Sequence, residues 1–91
     1  MAATADPTSE GRRHHLAALT YEVEARGLRC RLTGPGKGIL VVLDPSSGRS
    51  LMVVAMPTAR AGWSYLWGGG GLAAAADPSR AADLIAATLC R

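Results

Sequence analysis

The spacing of hydrophobic residues predicts a helix near the amino terminus. From residue 9 to residue 26, Leu16, Leu19 and Val23 recur at the i, i+3 and i+7 positions of one helical face. Gly27 follows as a C′ residue, because glycine adopts a left-handed conformation without a Cβ clash. Candidate N-caps at the start are Thr8 and Ser9.

A second helix is predicted at the carboxyl end. Asp77 is a good N-cap, and Pro78 suits the first helical position because its missing N–H would have no partner there. The apolar stripe of this helix is expected at Leu84, Ile85 and Leu89, with Ala81 and Thr88 beside it.

Between the helices the period changes to two, which indicates strands. Four segments are predicted as strands, at 28–33, 39–44, 50–56 and 62–67. The connections are the turns GPGKG and PSSGR and a third turn from Pro57 onward. In the first strand Arg29 and Arg31 alternate with apolar residues, which is typical of an edge strand. Connections this short favour antiparallel pairing of consecutive strands.

The order of elements predicts a single α+β domain at 9–91, preceded by a flexible segment at 1–8. The expected fold is an N-terminal helix, a four-stranded antiparallel meander and a C-terminal helix. The sequence leaves open whether both helices cover one face of the sheet or each covers one. It also leaves open whether the four glycines at 68–71 allow a close approach or form a mobile linker to the last helix.

The two central strands are apolar on both faces, which is unusual for an antiparallel sheet with one face in water. If both helices cover one face, the other is an exposed apolar patch, and such patches mark interfaces. A stripe of aromatic residues in the fourth strand belongs either to the core or to this surface, because alternation does not tell which side faces the helices. The candidate interface residues are therefore drawn from both sides: Trp63, Tyr65, Trp67, Leu40, Val42, Met52, Val54 and Met56.

Composition and charge narrow the class of protein. Among the 91 residues, 48% are hydrophobic and 19% are charged, which indicates a globular chain. The net charge of +3 comes from scattered arginines and one lysine, so no basic patch predicts nucleic-acid binding. No apolar run approaches the length of a membrane helix, and the start does not resemble a signal peptide. We therefore expect a cytoplasmic protein, with Cys30 and Cys90 as free thiols.

No motif with the spacing of a catalytic, nucleotide or metal site is found. GPGKG lacks the Ser or Thr and the following helix of a phosphate-binding loop. His14 and His15 are adjacent, whereas two zinc ligands on a helix are four residues apart. No Ser or Cys stands in a recognisable nucleophile motif, and the carboxylates fall mainly at caps, turns and a helix surface. We expect no catalytic residues, no metal and no cofactor.

Three segments of the chain carry a resemblance to known proteins: LAALTYEVEARGLRCRLT, ILVVLDP and WSYLWG. In these segments the chain resembles short uncharacterised actinobacterial-type α+β proteins. Some of those proteins accompany helix-turn-helix regulators, so the resemblance implies an accessory role. The element order is also similar to that of small secretion-chaperone-like folds, which usually insert a middle helix that this sequence lacks. Neither resemblance implies a functional residue.

The sequence favours a non-enzymatic binding or accessory protein that acts through a sheet face as a homodimer or with a protein partner. A regulatory role is one form of this interpretation. Two alternatives stay open. One is a small ligand-binding protein or enzyme with a pocket near the four glycines, and the other is a nucleic-acid-binding regulator.

Overall fold

A computed structural model describes residues 7–58 and 62–90. Its elements are the helices α1 (Pro7–Glu24) and α2 (Pro78–Leu89), and the strands β1 (Arg29–Thr33), β2 (Ile39–Leu43), β3 (Ser50–Thr58), β4 (Gly62–Trp67) and β5 (Gly71–Ala74). A single 3-10 turn, Pro35–Lys37, joins β1 to β2. Residues 1–6 of the predicted flexible segment lie outside the described residues, and Pro7 and Thr8 belong to α1.

The strands form one antiparallel sheet in the order β1-β2-β3-β4-β5, which confirms the predicted meander. The predicted number of strands is wrong, because Gly71–Ala74 forms a fifth strand that pairs with β4. The short side chains of this segment are typical of a connection to α2. Its strand conformation comes only from its pairing with β4. Gly68–Gly70 are the hairpin turn, with Gly69 and Gly70 at positive φ, so the glycines are not a linker to α2.

Both helices lie on the same face of the sheet and contact each other. α1 packs on β1, β2 and β3, while α2 packs on β5. Between the helices and the sheet lies a single core, to which α1 contributes Leu16, Leu19 and Val23, as the helical period predicts. The arrangement leaves the opposite face of the sheet without a covering helix among the described residues.

The end of α1 is a Schellman motif. The Leu28 N–H donates to the Val23 carbonyl oxygen at 3.2 Å, and the Gly27 N–H donates to the Glu24 carbonyl oxygen at 3.1 Å. Gly27 has a φ of 83°, which confirms its predicted left-handed role. Leu28 is buried, so the chain leaves the helix with an apolar anchor before β1 begins.

The start of α2 also follows the prediction, whereas part of its apolar stripe does not. The Asp77 carboxylate accepts a hydrogen bond from the Arg80 N–H at 3.1 Å, and Pro78 stands in the first turn. Leu84 is exposed, although it was expected in the apolar stripe. The buried face turns instead toward the small residues of β5, and it consists of Ala81, Ala82, Ile85 and Leu89.

Pro57 lies inside β3, where a turn was expected. It pairs with Trp63 of β4, on one side of the strand only. On the other side β2 ends with Ile39 opposite Val54, so β3 has no β2 neighbour at Pro57. The missing N–H of proline therefore breaks no ladder hydrogen bond on the β2 side. The predicted third turn also extends to residues 59–61, which lie outside the described residues.

Neither described helix has the combination of length and hydropathy that crossing a membrane would require.

Candidate interaction surface

The sheet face opposite the helices, called here the open face, is largely apolar. Because directly paired residues point to the same side of a sheet, the register gives its members. One row runs across four strands as Ile39, Val54, Leu66 and Leu72, next to Thr33 of β1. The other apolar side chains on this face are Val41, Leu43, Met52, Met56 and Ala74.

Three large apolar side chains of the open face are well exposed. Met52 and Leu72 are each 60% exposed and Met56 is 43% exposed. Five strands about 4.8 Å apart and about five residues long give a flat footprint of about 400 Å². Protruding side chains make the accessible area larger than this flat value. The open face is still at the small end of protein interfaces, which typically bury about 800 Å² on each partner.

One corner of the open face is basic. Arg29 and Arg31 are exposed on the edge strand β1, and their register partners are Leu43 and Val41 of β2. These four residues, with Cys30 and Ser50, line a shallow pocket of about 340 Å³. Its floor is apolar and two guanidinium groups stand at its border, so the pocket combines an apolar contact with positive charge.

The aromatic stripe lies on the opposite side of the sheet. Tyr65 is completely buried and Trp67 nearly so, while Trp63 is half-buried against the core. Leu40 and Val42 are also completely buried beneath the helices. Of the eight candidate interface residues, the structure places these five on the helix-covered side, and it places Met52, Val54 and Met56 together on the open face.

Several members of the open face were not among the candidates. Ile39, Val41, Leu66 and Leu72 join Met52 and Val54 only through the pairing register. Alternation within a strand shows which residues share a face, and so it separates these residues from Leu40 and Val42. It does not show which residues of the next strand point to that same face. The sequence pattern of Arg29 and Arg31 predicted an edge strand, a position that the strand order confirms.

Trp63 fixes the amino-terminal part of α1 to the sheet. Its ring lies 5.1 Å from the ring of His15, measured between centroids, and next to Gly11. A Cβ at Gly11 would come within 2.6 Å of the Trp63 ring, so glycine permits this close approach. Burial, and secondarily the charge of His14, lower the pKa of His15. Trp63, His15 and Gly11 therefore have a structural role, because their contacts join α1 to the sheet.

Trp67 makes a similar contact across the β4–β5 hairpin. Its indole lies over Gly71, where any Cβ would overlap the ring. Beside it, the glycines line a shallow cavity of about 490 Å³ together with Leu72, Leu84, Ala87 and Thr88. The Thr88 hydroxyl donates to the Leu84 carbonyl oxygen at 2.9 Å, and no ionisable side chain lines this cavity. The residues that line this shallow cavity provide no acid or base suited to catalysis.

The two thiols are free and lie apart. Burial raises the pKa of Cys30 to about 11, which makes its thiol a poor nucleophile near neutral pH. Cys90 is exposed, and its thiol donates weakly to the Asp44 carboxylate at 3.7 Å. Hydrogen bonds from the Ser46 N–H and the Ser47 hydroxyl, each 3.0 Å long, lower the pKa of Asp44 despite partial desolvation. These bonds shape the β2–β3 turn.

The described part of the chain contains no cluster of three His, Cys, Asp or Glu side chains that could hold a metal ion. The arginines of β1 and the aromatic stripe lie on opposite faces of the sheet. They therefore do not combine into the basic, aromatic surface on which single-stranded nucleic acid stacks.

Fold and surface together define a class: a small α+β protein with two helices on one face of an antiparallel meander and an open, apolar second face. No protein-family model, curated protein or solved structure matches the chain.

Proposed function

We propose that this protein is a non-enzymatic binding or accessory protein whose open face is closed by another polypeptide, either a second copy or a different protein. The observation that supports the proposal is the row from Ile39 to Leu72, which is apolar across four strands and lies under neither helix.

Two opposing free-energy terms act on the closure of this face. Burying apolar surface contributes about 25 cal/mol per Å² of area removed from water. If the whole footprint of about 400 Å² were apolar, its burial would favour binding by about 10 kcal/mol at most. The cost of fixing two molecules together is itself of order 4–15 kcal/mol. The two terms nearly cancel, so we expect a reversible complex that responds to concentration or to the choice of partner.

The clearest test substitutes an exposed residue at the centre of the open face. Met52→Glu places a charge on this face, while its 60% exposure means that the monomer tolerates the change. Native mass spectrometry and sedimentation velocity, from about 1 to about 500 μM, measure self-association over the range expected for a small interface. If the occupant is a second copy, wild-type dimers form and Met52→Glu stays monomeric.

The matched control is Tyr21→Glu. Tyr21 is 73% exposed on α1, outside the open face, so this variant adds the same charge without touching the surface. If the wild type is monomeric, the two variants are compared as immobilised baits, and the proposal expects partners that Tyr21→Glu retains and Met52→Glu loses. A monomer at all concentrations whose captured proteins are the same for both variants would refute the proposal.

A further inference from the structure

We infer that the open face binds a protein segment that carries carboxylates beside apolar side chains, with Arg29 and Arg31 as the carboxylate-binding residues. This inference rests on the function proposed above and specifies the chemistry of the partner. It selects a different, acidic protein rather than a second copy of the chain.

The two arginine side chains are in position to bind, and they have no partner within residues 7–58 and 62–90. They stand two residues apart on one strand, so their Cα atoms are about 6.6 Å apart and their side chains leave the same face. Neither side chain makes a hydrogen bond or an ion pair with any residue that the structure describes. By contrast, Arg26 pairs with Glu22 at 3.1 Å and Asp83 at 2.8 Å, where it joins the two helices.

The surroundings of the guanidinium groups favour an acidic ligand with an apolar body. Val41 and Leu43 form the floor of the pocket of about 340 Å³, and the arginines border it. A carboxylate accepts two parallel hydrogen bonds from one guanidinium group, a geometry that lysine cannot offer. An apolar side chain next to that carboxylate would lie on the floor and exclude water, which strengthens the ion pair.

Charge disfavours a second copy as the occupant. The register places no Asp or Glu on the open face, within the described ranges. In aligned packing of two sheets about a two-fold axis, β1 lies either over its own symmetry mate or over β5. The first arrangement opposes arginine to arginine, and the second sets arginine over Leu72 and Ala74. Neither gives the guanidinium groups a carboxylate.

The test uses two synthetic amphipathic peptides with the same leucine pattern, one with Glu and the other with Gln beside the leucines. Each carries a fluorescent label, and anisotropy measures its binding to the full chain. We expect the Glu peptide to bind about tenfold more tightly, because hydrogen bonds between two charged groups are about twice as strong as neutral ones. Added salt should reduce this preference.

The deciding variant is the double substitution R29Q/R31Q, which should bind the Glu and Gln peptides equally. Its control, R13Q/R80Q, removes the same charge from two exposed helix arginines and should keep the preference. Circular dichroism checks the fold of each variant. If R29Q/R31Q fails to fold, R29E/R31E provides a second test, because it should prefer a peptide with Lys in place of Glu.

Several results would overturn the inference. Equal binding of the two peptides by the wild type would do so, as would an equal loss of preference in R13Q/R80Q. Binding to vesicles of phosphatidylcholine with phosphatidylserine, without a preference between the peptides, would point to a membrane surface instead. A dimer that Met52→Glu dissociates, with no preference for Glu, would also refute this inference but would leave the proposed function intact.

Discussion

The Tyr65 hydroxyl donates a hydrogen bond of 2.5 Å to the carbonyl oxygen of His15. This bond joins the middle of β4 to α1 across the core, at a tyrosine that is completely buried. Tyr65 therefore helps to fix the position of α1 on the sheet, and both its ring and its hydroxyl group are used there. This explains why the chain places its tryptophans and this tyrosine on one side of a single strand.

Tyr65→Phe removes this hydrogen bond and keeps the ring. We expect the free energy of unfolding to fall by about 0.5–1.5 kcal/mol, the usual net value of such a bond. Urea unfolding followed by circular dichroism measures the change. Tyr21→Phe makes the same chemical change on an exposed ring and should leave stability unaltered. Equal stability of Tyr65→Phe and the wild type would show that the bond contributes nothing.

Stability should also fall at high pH because of Tyr65. Burial raises its pKa from 10.0 to about 12, so the folded state keeps a proton that the unfolded state loses. The folded state therefore binds more protons between pH 10 and pH 12, and the free energy of unfolding decreases over this range. Cys30, with a pKa raised from 9.0 to about 11, contributes the earlier part of the decline.

Equilibrium unfolding in urea at a series of pH values tests this dependence. Tyr65→Phe should flatten the decline above pH 11, where the Cys30 contribution has ended. Tyr21→Phe should keep the full decline. A decline of unchanged slope in Tyr65→Phe would assign it to other groups.

Gly71→Ala should destabilise the β4–β5 hairpin. Its Cβ would overlap the Trp67 indole, which is 9% exposed and held within the core. Overpacking of this kind costs about 1–3 kcal/mol, which thermal unfolding can measure. Gly68→Ala is the matched control, because a Cβ there meets no atom within 4 Å. If the two variants were equally stable, Trp67 could not be fixed over Gly71 as described.

The two thiols should react at very different rates with a disulfide reagent such as an aromatic disulfide at pH 8. Cys90 is exposed, whereas a pKa of about 11 leaves about one in a thousand Cys30 side chains as thiolate. One thiol per chain should therefore react rapidly. Cys90→Ser should remove this fast reaction, and Cys30→Ser should retain it. Two fast thiols in the wild type would contradict the partial burial of Cys30.

Local patterns in the sequence were sufficient for the helices and for most of the strands. Leu16, Leu19 and Val23 identify the buried face of α1 without reference to the rest of the chain. Gly27 and Asp77 mark helix ends because capping is decided by a few neighbouring backbone groups. β5 was missed for the opposite reason, since a short run of glycine, leucine and alanine becomes a strand only when β4 pairs with it.

The candidate site was predicted only in part, because alternation within one strand does not show which face of the sheet its residues share with the next strand. The sequence by itself determined that the central strands are apolar on both sides, because that property belongs to each residue in turn. Only the tertiary structure decided that both helices take the side of Tyr65, since this depends on how distant elements pack. The pairing register then gathered Met52, Val54 and Leu72 on the open face with Arg31, because register is set between strands and not within them.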